Sequence, residues 1–145
     1  MQKLTLLMLI AMMVAGCQTA DDRLTNGSTP ADVTGPAAGA IAGDMASRLA
    51  EQIGSAGSIS IAMSKDGTEY ATALEAALKG WGYTVITDGL AEKDQKPTEI
   101  AYFLYSFDGQ ILASLSTPSV ALGRTYTTTT AGAAPASPIS VMQRN

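Results

Sequence analysis

The fold turns on one stretch, EIAYFLYSFDGQILASLS, residues 99–116. Two alternating apolar runs flank Asp108-Gly109. Side chains of a strand point alternately to opposite faces. Ile100, Tyr102 and Leu104 therefore share one face, and Ala101, Phe103, Tyr105 and Phe107 share the other. Asp-Gly between such runs is a strong two-residue hairpin signal. Ile111, Ala113 and Leu115 alternate in the second run. Both faces of the first run are apolar. It is expected to be a central strand, or one whose second face is covered by a partner. Of its side chains, Tyr102, Phe103 and Tyr105 are the candidate partner-binding residues, with strand addition at a sheet edge as one route.

Moving toward the C-terminus, Val120, Leu122, Arg124 and Tyr126 alternate after Pro118, and Thr127 to Thr130 favour extended structure. Residues 131–145 are expected to form an irregular tail. Within it Ile139-Ser140-Val141-Met142 either adds a short edge strand or trails. Toward the N-terminus, Ser58 to Met63 alternates as a half-buried strand, and Tyr83 to Thr87 is β-branched and aromatic. Between them lies a helix over 69–79. Asp66-Gly67 marks the turn before it and Thr68 is its cap. Tyr70, Leu74, Leu78 and Trp81 follow one face of that helix and are expected in the core. The alternative for Trp81 is a ligand-stacking role. Strand, helix and strand in succession imply a parallel crossover. The loop 88–97 carries mixed charge, and its carboxylates read as solvated.

A longer helix is expected from Pro36 to Ile53. Pro36 suits a first turn. Ile41, Met45, Leu49 and Ile53 recur every four residues beside Ala38, Ala42, Ala46 and Ala50. The narrow, Ala-rich stripe suits close packing on a sheet; an exposed partner-binding helix is the alternative. Together these elements predict a small α+β domain over 37–130, two helices on a mixed sheet of about four to five strands.

The beginning of the chain is different in kind. Lys3 precedes an apolar run from Leu4 to Val14 whose only polar member is Thr5. Val14, Ala15 and Gly16 then lead to Cys17, the sole cysteine. A basic start, an apolar stretch and small residues make a secretory signal. The small residues directly before Cys resemble the lipobox of bacterial lipoprotein precursors. That resemblance implies a signal peptide over 1–16, recognition of Val14, Ala15 and Gly16 by the signal peptidase, and diacylglycerol and acyl chains on Cys17. A membrane span needs about 20 apolar residues, and this run is too short. Residues 17–36 combine Thr, Ser, Asn, Asp, Gly and Pro with isolated Leu24 and Val33, the composition of a flexible linker. Such a coil reaches roughly 25 Å. A peptide that orders on a partner is the sharper alternative.

Composition excludes several functions. The 145-residue chain carries nine Lys/Arg against thirteen Asp/Glu, a formal charge of −4. Loss of residues 1–16 removes Lys3 and leaves eight against thirteen, or −5. A mildly acidic chain without a basic cluster is not expected to bind nucleic acid. There is no His, so His-containing metal clusters and Cys-His or Ser-His pairs cannot form. There is no G-x-S-x-G elbow and no phosphate-binding loop. No enzyme, metal, other cofactor or small-molecule substrate is expected.

Two stretches, EYATALEAALKGWGYTV (69–85) and QILASLSTPSVALGRTYTTTTAGAAPASP (110–138), resemble the TrbH lipoprotein family of plasmid conjugal-transfer systems. The likeness takes in the lipobox and roughly residues 67–138. Ile139-Ser140-Val141-Met142 departs from it, because an aromatic is expected near the end. The resemblance implies an outer-membrane lipoprotein of a type IV secretion apparatus, facing the periplasm. It would contact other transfer proteins during mating-pair formation and not the DNA. Gln18 after Cys17 fits outer-membrane delivery. The alternative is another envelope lipoprotein: an assembly factor, a cell-wall synthase activator or a surface-exclusion protein.

Overall fold

Asp108 and Gly109 both take positive φ, 48° and 75°, as a two-residue hairpin turn with the twist of its strands requires. In the computed structural model, which describes residues 33–145, this turn joins two seven-residue strands. The expected signal peptide, Val14, Ala15, Gly16, Cys17 and most of the expected linker lie outside the described residues. In chain order the elements are α1 (Gly35–Ile53), β1 (Ser60–Ala62), α2 (Glu69–Gly80), β2 (Thr84–Ile86) and β3 (Thr98–Glu99), followed by β4 (Ala101–Phe107), β5 (Gln110–Ser116), β6 (Val120–Thr129), β7 (Gly132–Pro135) and β8 (Ser140–Gln143).

The α+β class holds, with two helices. The strands divide into a parallel sheet ordered β2-β1-β3 and an antiparallel sheet of five, in which β4, β5 and β6 follow one another. On the far side of β6, β7 pairs with Tyr126–Thr129 and β8 with Val120–Gly123. One extended run serves both sheets. Its start, β3, pairs with β1, and the Ile100 amide still donates to Ala62 O at 3.0 Å. From Ala101 onward the run pairs with β5 instead.

Helix α1 buries Ala38, Ile41, Ala42, Met45, Ala46 and Leu49. The alanines let it lie close to α2 and to β5, β6 and β7, while each large apolar side chain contributes about 1.5–3 kcal/mol on burial. Gly54, with φ 86°, ends the helix, and its amide returns to Ala50 O at 3.0 Å. At the other end the Gly35 amide donates to the Glu69 carboxylate. Helix α2 is capped as its sequence predicts: the Ala71 amide donates to Thr68 Oγ1 at 3.1 Å. Its inner face is Tyr70, Ala71, Leu74 and Leu78. The crossover between β1 and β2 is parallel, as expected.

Three expectations need correction. The run 101–107 is not central: β4 is an edge strand of its sheet, and no described element covers its second face. Trp81 is not core. It lies past the end of α2 and is 51% exposed. Gly82, with φ 93°, turns the chain so that Tyr83 points inward in its place, and the Tyr83 hydroxyl donates to Gly54 O at 2.6 Å. The stretch 131–145 is not irregular throughout: Gly132–Pro135 forms β7, and of the two readings of residues 139–142 the edge strand holds, as β8. Pro135 closes β7 and Pro138 falls between the two strands, positions at a sheet edge where a missing amide does no harm.

Candidate functional site

Cross-strand partners point to the same side of a sheet, so the pairing register defines the two faces. On one side Tyr102, Leu104, Ile111, Ala113, Leu115, Leu122 and Tyr126 are buried beneath the helices. On the other side the rows are Phe107–Gln110–Thr127, Tyr105–Leu112–Thr125, Phe103–Ser114–Gly123 and Ala101–Ser116–Ala121–Met142. No member of these rows is charged. A solvated antiparallel face usually alternates toward polar and charged residues. Here its first strand exposes Phe103 (38%), Tyr105 (57%) and Phe107 (65%), and Leu112 (37%) adjoins Tyr105.

The three sequence candidates are therefore separated. Phe103 and Tyr105 stand together on the open face. Tyr102 is directed inward: its ring meets Tyr70 with centroids 5.5 Å apart, and its hydroxyl donates to Ser64 O at 2.9 Å. Burial pushes the Tyr102 hydroxyl up to about 12, with the nearby Asp66 charge acting in the same direction. Phe107, Leu112 and Met142 were outside the sequence candidates. For Phe107 the signal was present, since it shares the alternation of Phe103 and Tyr105. For Leu112 and Met142 only the register reveals the shared face.

The row continues toward the N-terminal end of the run. Glu99 pairs with Ala62 in register, which sets it on the same side as Ala101, two residues on. There the two sheets diverge and leave a cleft of about 510 Å³ lined by Ala62, Ile86, Glu99, Ala101, Ser116 and Arg144, among others. The Arg144 guanidinium contacts Thr117 O at 3.5 Å. Glu99 has no ion pair or side-chain hydrogen bond among the described residues. Beneath the sheet, Asp44 on α1 accepts from Arg124 Nη1 at 2.9 Å and from the Tyr126 hydroxyl at 2.6 Å. Arg124 Nε in turn donates to Ser137 O at 2.9 Å. This network ties α1 and the β7–β8 connection to β6 on the side of the sheet away from the open face. Burial raises the Tyr126 pKa, and the Asp44 carboxylate raises it further.

Among the described residues no three His, Cys, Asp or Glu gather as metal ligands, and no helix is long and apolar enough to cross a membrane. The arrangement offers an uncharged, partly aromatic surface with a cleft at one end that holds both Glu99 and Arg144.

The sequence matches the family described as "Conjugal transfer protein TrbH" over residues 19–145. It is similar to a "Probable conjugal transfer protein TrbH" of Sinorhizobium fredii (strain NBRC 101917 / NGR234), 60% identical over 148 residues and covering all of both chains. No solved structure matches it significantly.

Proposed function

The chain belongs to the TrbH family of conjugal transfer proteins, and from that premise we propose that it is a lipid-anchored, non-enzymatic assembly component of a type IV secretion apparatus. Cys17 becomes the N-terminal residue and carries diacylglycerol and acyl chains. Each buried CH₂ contributes about 0.8 kcal/mol, so two or three chains make attachment stable where one does not. The anchor lies in the outer membrane and the domain of residues 33–145 faces the periplasm. It binds other transfer proteins, with no nucleic acid and no small-molecule substrate.

One observation carries the assembly role: the uncharged face bearing Phe103, Tyr105, Phe107 and Leu112 beside the edge of β4. Exposed aromatic clusters suit protein contact. The test is plasmid transfer from a donor lacking the gene. Transfer should fall without slower growth, and the intact gene should restore it. A Cys17→Ala copy should fail to restore it and should be lost from the outer-membrane fraction. Normal transfer from the deleted donor, or unchanged fractionation of Cys17→Ala, would refute the proposal.

A further inference from the structure

We draw no further inference here: the strongest candidate, the uncharged face of β4 that exposes Phe103, Tyr105 and Phe107 beside the cleft at Glu99 and Arg144, is the surface already described, and nothing in the structure shows what covers it.

Discussion

Replacing Asp44 with Ala should destabilise the domain by about 2–4 kcal/mol, although Asp44 sits on a helix surface where such a change is ordinarily near neutral. Two hydrogen-bond donors lose their acceptor, and the partly exposed Arg48 loses a 3.5 Å ion pair of little weight. The Tyr126 hydroxyl, 2.6 Å from the carboxylate, belongs to a residue only 1% exposed. A buried donor left unpaired costs about 1–3 kcal/mol. Arg124 loses a 2.9 Å ion pair between side chains that are 16% and 21% exposed. That pair lies between the surface case, about 0–1 kcal/mol, and the buried case of about 3–5, so about 1–2 is assigned. Helix propensity returns about 0.6 kcal/mol to Ala. At about 4 °C per kcal/mol for a domain of this size, the midpoint should drop by roughly 8–16 °C. Thermal and urea denaturation followed by far-UV circular dichroism measure it directly. The double variant Asp44→Ala/Tyr126→Phe should recover about 1–2 kcal/mol, since no hydroxyl is stranded. A loss below 1 kcal/mol in the single variant, or no recovery in the double, refutes the role given to this network.

Other outcomes follow from single features. Gly132→Ala places a Cβ 2.7 Å from Pro36 O at a φ of 140°; a loss of about 2–3 kcal/mol by urea denaturation is expected, and wild-type stability would contradict the close approach of β7 to α1. Trp81 should emit as a solvent-exposed indole, quenched by acrylamide in the folded state, and Trp81→Ala should cost less than about 1 kcal/mol; a blue-shifted, unquenched spectrum would return it to the core. Tyr102 is held neutral by burial, with its pKa about 12 against about 10 when unfolded. The native state therefore keeps the proton longer, and stability that is complete below pH 10 falls as pH rises toward 12. In a Tyr105→Phe variant, which removes the exposed tyrosine, absorbance at 295 nm and circular dichroism should change together in that window. Tyrosinate appearing without unfolding would contradict this. Tyr105→Ser should leave the midpoint within about 1 kcal/mol of wild type and lower plasmid transfer, whereas normal transfer would remove Tyr105 from the contact surface.

Local signals predicted most of the elements. The Asp108-Gly109 turn, the Ala-rich stripe of α1, the Thr68 cap and the parallel strands around α2 all depend on neighbours within about a dozen residues. What stayed hidden depends on distance along the chain. Asp44 meets Arg124 and Tyr126 across 80 and 82 residues; the sequence shows only its i,i+4 relation to Arg48. The two apolar faces of β4 read as a buried strand because composition alone cannot distinguish a face covered by its own fold from one left for another molecule. Trp81 follows the helical period, but the helix ends at Gly80 and the period no longer decides its direction. The alanines and prolines of 131–138 obscure an alternation that only pairing with β6 reveals. As for the candidate site, Phe103 and Tyr105 were legible from alternation, while the cleft at Glu99 arises where two sheets part, which no local pattern encodes.

The contact of Gly132 with Pro36 also sets an order of events in time. The first helix of the described domain packs against β7, and β8 with the Arg144 amide, 2.8 Å from Ser119 O, completes the pairing of β6. Contacts so distant in sequence form late, because loop closure must precede them. A chain whose residues 132–145 have not yet paired with β6 therefore lacks one edge of its sheet and part of the seat of α1.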